Sequence, residues 1–339
     1  MYLFAFATLL PTTCLSLAAL VGGPLVWTGL IVMSAGCYAV DRLAHGQAAR
    51  RIGSEFPTGD ALLTALGLLH LPMLTLAVWA ISSAPYLIFP ERIGLLIGFG
   101  LFFGQIGHPN AHELIHRPNR GLRALGVMTY ATLLIGHHAS AHRLVHHVHV
   151  GTAADPNSAP QGTGFWRFFA KAWRGSFVAG LRAEKALRRR AKHPAKNHNP
   201  YFIYLFWSLT SLGLSWAVGG AAGIGVVVAV AVYAQIQIFL ADYVQHYGLR
   251  RALKPDGKPQ PVGPQDSWNS PHLGSSAMML NAPRHSDHHM HPGRHFPALR
   301  LDAEMPVLPY SLPVMAVIAL IPPLWRRMMD PRVKAIKTV

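Results

Sequence analysis

Nine of the twenty histidines in this chain lie in four short segments, here called the histidine boxes. The boxes contain His112 and His116, then His142, His146 and His147, then His246, and finally His285, His288 and His289. Residues three or four positions apart share one face of a helix, so three of the boxes each direct two or three imidazoles towards one point. Imidazole is a good ligand for zinc, copper, iron and nickel. The boxes therefore predict a transition-metal site, and their number favours more than one ion.

The first box also matches the H-E-x-x-H pattern of zinc proteases, in which the glutamate, here Glu113, is the general base. Such a protease needs three ligands and has no use for the other clustered histidines. An intramembrane metalloprotease is therefore the remote alternative. A metal carrier without catalytic activity is a second alternative.

Long uncharged stretches separate and precede the boxes. Residues 1–40, 61–90 and 201–241 contain no Asp, Glu, Lys or Arg. Because a helix needs roughly 20 apolar residues to cross a bilayer, these stretches predict paired spans. The six expected transmembrane helices cover about residues 2–21, 25–40, 62–82, 91–107, 201–218 and 222–241. The predicted fold class is an all-α integral membrane protein whose histidine-rich domain is built on extensions of these helices.

Two further apolar stretches are not expected to cross the bilayer. Residues 124–136 are too few to span it, and a crossing there would place His116 and His142 on opposite sides. Residues 305–325 contain five prolines and are followed by two arginines. This second stretch is predicted to be interfacial or re-entrant.

Charge gives the expected topology. The net charge is +16, and 29 of the 30 Lys and Arg residues lie in segments 42–51, 117–196 and 250–337. This bias is typical of cytoplasmic loops, so it predicts an inner-membrane protein with cytoplasmic boxes rather than a nucleic-acid-binding protein. The expected organisation is helices one to four in 1–107, a cytoplasmic box region in 108–200, helices five and six in 201–241, and a second cytoplasmic box region with the interfacial segment in 242–339.

The boxes read HELIH, HRLVHH, DYVQHYGL and RHSDHHMHP in chain order. This order resembles the membrane-bound alkane 1-monooxygenases, within the superfamily of histidine-box hydroxylases and fatty acid desaturases. The resemblance covers most of the chain. The Tyr-x-x-His-Tyr-Gly-Leu box that begins at Tyr243 is the discriminating feature, because alkane and xylene-type monooxygenases carry it and general desaturases lack it.

The resemblance implies a non-haem di-iron oxygenase in which the nine box histidines bind two iron ions. Glu113, Gln245 and Asp287 are expected to accept hydrogen bonds that hold ligating imidazoles in place. Six neighbouring histidines are expected to support the ligands or to lie at the membrane interface, namely His137, His138, His149, His272, His291 and His295. No role is expected for His45, His70, His108, His193 and His198.

The chain departs from the family pattern at three positions. Ala141 stands where a glutamate is common, and Asp242 and Gln245 replace a common asparagine and glutamate. An amide oxygen still accepts a hydrogen bond, whereas Ala141 has no acceptor. These departures leave the nine ligands intact and indicate a divergent subfamily.

The chemistry that the resemblance implies is hydroxylation of the terminal methyl group of an alkane or alkyl chain, with O2 and two external electrons. The chain has no C-x-x-C motif, and Cys14 and Cys37 are expected to be packing residues. The electrons are therefore expected from a separate rubredoxin or ferredoxin, and the hydrophobic substrate from the membrane lipids. The alternatives within this machinery are a xylene-type aromatic methyl hydroxylase and a fatty acyl hydroxylase or desaturase.

Overall fold

The computed structural model describes residues 1–44, 59–190 and 199–337. Three histidines for which the sequence predicts no role, His45, His193 and His198, lie outside the described residues. The described part of the chain contains α-helices, short 3-10 and π turns and loops, with two isolated β-bridges and no β-strand. The predicted all-α class is confirmed.

Helices before the second box are α1 (Tyr2–Val21), α2 (Val26–Ile31), α3 (Cys37–Leu43), α4 (Asp60–Ser83), α5 (Phe89–Phe102), α6 (His108–His116), α7 (Arg120–Thr132) and α8 (His138–Ala141). Those from the second box onwards are α9 (His147–His149), α10 (Phe165–Arg189), α11 (Tyr201–His246), α12 (Leu273–Met278), α13 (His285–Met290), α14 (Leu312–Ala319) and α15 (Pro322–Lys337).

Among the described residues, four helices are long and apolar enough to cross a bilayer. They are Tyr2–Val21, Gly23–Leu43, Asp60–Ser83 and Tyr201–His246. The second comprises α2 and α3 with the 3-10 and π turns beside them. In the predicted fourth span, α5 has only 14 residues before a π turn at Phe103–Gly107. The membrane-spanning character of the fold is thus shown, whereas the count of six spans remains a prediction.

The 46-residue helix α11 is interrupted at Gly220, which has φ 57° and ψ −142°. Ser211 donates a hydrogen bond to the carbonyl of Thr132, and Gln235 donates one to the next carbonyl, Leu133 (2.9 and 2.8 Å). In a straight helix these two donors would be roughly 36 Å apart. The chain therefore doubles back at Gly220, where a left-handed backbone favours glycine, and forms two antiparallel arms.

Two helical extensions carry boxes away from the apolar helices. Helix α6 follows α5 through the π turn and holds the first box, and the second arm of α11 continues to His246. Helix α7 occupies most of the short stretch that was not expected to cross. It leaves the first two boxes on one side, because the Nε2 atoms of His112 and His142 are 2.8 Å apart.

The proline-rich C-terminal stretch forms α14 and the start of α15. Trp325 of α15 is fully buried and packs against Tyr243 and Tyr247 at the end of α11, with ring centroids 5.2 and 5.3 Å away. This contact fixes α15 beneath the third box. The position of the stretch relative to the bilayer remains a prediction.

Candidate metal centre

All nine box histidines converge in two clusters. The five-histidine cluster contains His112, His116, His142, His147 and His288, and the four-histidine cluster contains His146, His246, His285 and His289. Within each cluster one ring nitrogen of every member lies within 4.8 Å of those of the others. The clusters adjoin each other, because the rings of His147 and His289 have centroids only 4.6 Å apart.

The second box contributes to both clusters because its backbone is a π turn, His142–His146. A π turn brings residues five positions apart onto one face, so His142 joins His147, with a 3.0 Å Nε2–Nε2 separation. The expectation that His142 and His146 would share a face is wrong for this reason. His146 instead faces the four-histidine cluster, where its ring centroid lies 4.7 Å from that of His246.

Helix α13 also contributes to both clusters. His285 and His289, one turn apart, have Nε2 atoms separated by 3.1 Å. His288 projects from the neighbouring face and reaches His147, again at 3.1 Å. The fourth box therefore divides between two groups, although the sequence predicts one common point for its three imidazoles.

The nitrogen atoms fit bound metal ions. Five Nε2–Nε2 separations within the clusters are 2.8 to 3.1 Å. Two imidazoles at right angles on one ion, each about 2.1 Å from it, place their nitrogens about 3.0 Å apart. Moreover, the Nε2 atoms of His116 and His146 are buried without a hydrogen-bond partner, which is costly unless a ligand satisfies them. An all-imidazole donor set suits iron, zinc or copper.

Burial keeps most of these imidazoles neutral. Burial, reinforced by the neighbouring imidazoles, lowers the pKa of His112, His142 and His288 well below the ordinary value of 6.5. The same cause lowers the pKa of His285 and His289. Since only the neutral ring offers a lone pair, the clusters are prepared to bind a cation near neutral pH.

Asp155 orients one imidazole of the four-histidine cluster. The Nδ1 atom of His146 lies 2.8 Å from the Asp155 carboxylate, which also accepts hydrogen bonds from Ser158 Oγ and Asn157 N. Burial opposes protonation of His146, but the Asp155 carboxylate outweighs it and raises the pKa of this imidazole. With Nδ1 held by the carboxylate, Nε2 is left to face the cluster.

Asp155 is not among the predicted site residues, although the sequence carries a signal for it. Asp155 is the only acidic residue between Glu113 and Glu184, and it lies nine residues after His146 in a basic region. An isolated carboxylate so close to a histidine box is a candidate partner for an imidazole. Its side chain is buried together with Asn157, whose amide bonds to Asp242 of α11 at 2.6 Å.

The three residues expected to hold ligating imidazoles have other partners. Glu113 forms a buried ion pair with Arg117, and Asp287 bonds to His291, Arg294 and the backbone nitrogen of Arg300. The amide nitrogen of Gln245 donates to the carbonyl of Ala282 (3.1 Å). These contacts brace the loops and helices around α6 and α13. Their importance for ligand geometry remains a prediction.

The pairing of Glu113 also bears on the protease alternative. A general base of an H-E-x-x-H enzyme must face the metal-bound water, whereas this carboxylate turns to Arg117. Burial raises the pKa of Glu113 to about 7, against the opposing effect of the Arg117 charge. The geometry does not support a metalloprotease.

Most of the other described histidines have partners outside the two clusters. His70 bonds to Thr132 and His108 to the Tyr130 hydroxyl (2.8 and 2.9 Å), so these two have structural roles that the sequence did not indicate. His137 lies between Trp173 and Phe177, and His272 contacts Ser270, whereas His291 and His295 face Asp287 and Asp60. His138 stacks on His142, 5.3 Å between centroids, with both of its ring nitrogens buried and unpartnered.

Ala141, one of the departures from the family pattern, lies in a close helix contact. Helix α10 crosses this position at Gly180, where an added Cβ atom would lie 3.2 Å from the Ala141 nitrogen. A longer side chain at residue 141 would have to find space in this helix contact. The small residues at 141 and 180 therefore permit α10 to pack directly behind the second box.

An apolar cavity borders the clusters. A cavity of about 120 Å³ lies between the π turn after α5, the second arm of α11, and α14. A smaller cavity of about 20 Å³ touches His112 of one cluster and His285 of the other. Ala241, Met279 and Leu312 line both cavities. These three residues form a shared wall between the apolar cavity and the space beside the imidazoles.

Comparison with known proteins agrees with this site. The model of the fatty acid desaturase family matches residues 84–318. Alkane 1-monooxygenase 1 of Pseudomonas aeruginosa is 33% identical over 286 residues, which cover 82% of this chain and 74% of that protein. Alkane 1-monooxygenase 2 of Alcanivorax borkumensis is 32% identical over 250 residues, 72% and 64% of the two chains.

A third relative is the xylene/toluene monooxygenase hydroxylase component XylM of Pseudomonas putida. It is 30% identical over 238 residues, which cover 68% of this chain and 62% of that protein. The all-helical membrane fold and the clustered histidine boxes are thus those of the fatty acid desaturase family. Within this family the chain belongs to the alkane 1-monooxygenases, and it is an integral membrane oxygenase.

Proposed function

We propose that this protein is a di-iron monooxygenase that hydroxylates the terminal methyl group of alkanes or alkyl chains. The observation that carries the proposal is the convergence of nine imidazoles in two adjoining clusters. Two clusters favour two ions, and non-haem iron is the metal that the family implies. Iron held there supplies the activation of O2, for which two external electrons are needed.

The two clusters and Asp155 have distinct roles in this proposal. The five-histidine cluster holds one ion and the four-histidine cluster holds the other. Asp155 keeps His146 in the tautomer that presents Nε2 to its ion. The surrounding buried side chains exclude water, which protects a reactive oxidant from side reactions.

The apolar cavity is proposed as the substrate site. Its walls are formed mainly by aliphatic residues of α11 and α14, which suits a hydrocarbon chain drawn from the bilayer. A terminal methyl group that passes Ala241 and Leu312 enters the smaller cavity beside His112 and His285. This arrangement supports reaction at the end of a chain.

The electron donor and the topology are proposed from charge. Residues 117–196 and 250–337 carry fourteen and twelve of the 30 Lys and Arg residues, respectively. This bias supports cytoplasmic histidine boxes in a bacterial-type inner membrane. A separate rubredoxin or ferredoxin is proposed as the donor, since electrons must come from outside the chain.

The test combines metal analysis with product identification. Purified protein, reduced by a rubredoxin system, is incubated with octane, hexadecane, xylene and an acyl lipid under O2. Two irons per chain and a primary alcohol from the alkanes are expected. Reaction with xylene alone would favour the aromatic methyl hydroxylase to which XylM points, and an unsaturated lipid would favour a desaturase. Metal-free protein that forms product would overturn the proposal.

A further inference from the structure

Helix α10 presents two different exposed faces beside its buried one. The buried face includes Phe165, Phe168, Ala172, Ser176, Gly180 and Glu184 at helical spacing. One exposed face carries Trp166, Trp173 and Phe177, and the other carries Arg167, Lys171, Arg174, Arg182, Lys185 and Arg189. A helix with adjacent aromatic and basic faces is typical of a membrane interface.

The basic face is not neutralised by the protein. Within the described part of the chain, none of its six cations forms an ion pair. The only acid of the helix is Glu184, whose buried carboxylate bonds to Ser140 and Arg188. Six cations without an ion pair among the described residues give this face a positive potential that attracts anions from outside the chain.

Contacts with α11 place α10 across the end of the predicted membrane span. Phe168 packs on Tyr243, Phe169 on Phe239, and Trp173 donates a hydrogen bond to Gln235 (2.9 Å). These contacts cover roughly 12 Å of the arm that carries the third box, from Tyr243 just outside the predicted span to Gln235 within it. Further along, the Tyr201 hydroxyl at the start of the first arm bonds to the Phe177 carbonyl (2.9 Å).

Helix α10 thus crosses the ends of both arms of α11 that the proposed topology places at the cytoplasmic surface. We infer that it is a binding site for anionic phospholipids, with the aromatic face inserted below the headgroups and the basic face on their phosphates. Trp and Phe are stable at this depth, and Lys and Arg near an anionic surface are attracted to it. The lipid site rests on the proposed membrane topology and does not depend on the reaction proposed for the metal centre.

The site is connected to the metal centre through α8. Ser140 donates a hydrogen bond to Glu184 (2.6 Å), and Gly180 packs against the Ala141 backbone, directly before His142. An anionic lipid that steadies α10 also steadies the backbone from which the second box begins. Anionic membranes are therefore expected to raise the stability of the folded protein.

A lipid surface fits better than an acidic protein. A docked acidic protein that paired with the six cations would leave Trp166, Trp173 and Phe177 exposed to water, unless that protein also offered them an apolar surface. A lipid leaflet provides both the charge and the apolar layer, in the order in which the helix presents them. The acidic protein is the competing outcome of the test.

The test measures lipid preference in nanodiscs. Wild-type protein is reconstituted with brominated phosphatidylglycerol or brominated phosphatidylcholine, and quenching of tryptophan fluorescence reports contact with each lipid. The variant Arg167→Gln, Lys171→Gln, Arg174→Gln removes three charges from the basic face. The control Lys254→Gln, Lys258→Gln, Arg332→Gln removes three charges elsewhere on the surface. A second measurement compares unfolding temperatures in neutral and anionic nanodiscs.

We expect the preference of the wild type for phosphatidylglycerol to fall by up to about fivefold per removed charge in the α10 variant, and to persist in the control. High salt should abolish the lipid preference of the wild-type protein. This measurement does not depend on whether a variant folds. An unchanged preference in the α10 variant would overturn the inference. So would an α10 variant that keeps its lipid preference and loses affinity for an acidic rubredoxin.

Discussion

Replacement of Asp155 by asparagine tests how the four-histidine cluster is held. The carboxylate accepts hydrogen bonds from His146 Nδ1 at 2.8 Å, from Ser158 Oγ at 2.6 Å and from Asn157 N at 3.1 Å. Asparagine has nearly the same shape but only one acceptor oxygen. Its amide nitrogen must therefore face either the His146 ring or the Asn157 N–H.

Either orientation places two donors together in a buried site. A buried donor without a partner costs about 1–3 kcal/mol, and the imidazole loses the negative charge that makes it a better ligand. Loss of such a partner typically weakens metal binding about 10–100-fold, which corresponds to about 1.4–2.8 kcal/mol. We expect this loss for the ion of the four-histidine cluster and little change at the five-histidine cluster.

The assay is anaerobic titration of the metal-free protein with ferrous iron, followed by Mössbauer spectroscopy to separate the two ions. In Asp155→Asn, one site should bind iron at the same concentration as in the wild type, and the other should need an iron concentration about 10–100-fold higher. The exposed Asp302 provides a matched control, because Asp302→Asn makes the same chemical change away from the clusters. Equal affinities for both ions in Asp155→Asn and wild type would refute the reasoning.

Three further outcomes follow from the geometry. His288→Ala and His289→Ala, although adjacent, should weaken iron binding at different clusters. The control His291→Ala, outside both clusters, should leave iron binding at both clusters unchanged. Identical losses of Mössbauer signal in the first two variants would contradict the assignment. Ala241→Phe should obstruct the passage at the wall shared by the two cavities and lower alkane hydroxylation at least about tenfold with normal iron content. Val317→Phe at the exposed rim should leave alkane hydroxylation unchanged. Product analysis of both variants measures the difference. The metal-free protein should lose stability as pH falls below 6.5, because the folded clusters hold their histidines neutral and the unfolded chain protonates them. Each such histidine adds a slope of about 1.4 kcal/mol per pH unit, and an unfolding temperature independent of pH between 6.5 and 5 would contradict this.

Composition and hydropathy predicted the all-α membrane class and the location of the long apolar helices. The uncharged stretches correspond to α1, to the helix of α2 and α3, to α4 and to α11. The gap between the fifth and sixth expected helices, at residues 219–221, also indicated the turn between the arms of α11, where Gly220 adopts a left-handed backbone that favours glycine. Burial of uncharged helices in lipid depends mainly on composition, which a single sequence displays directly.

The partition of ligands between the clusters was not predictable from helical periodicity. The sequence indicates i,i+4 pairing in the second box, whereas the π turn pairs His142 with His147. A π turn results from packing around the box and leaves no periodic signal in the residues that form it. Asp155 was missed for a related reason, since its contact with His146 depends on the fold of the loop between them.

The two clusters are coupled through the backbone although their ligands are distinct. The π turn supplies His142 to one cluster and His146 to the other, and α13 divides His288 from His285 and His289 in the same way. A shift of either element moves histidines of both clusters at once, because the side chains leave one rigid turn in two directions. Replacing one imidazole is therefore expected to affect one ion, whereas disturbing the packing behind the π turn, as at Gly180 against Ala141, is expected to affect both.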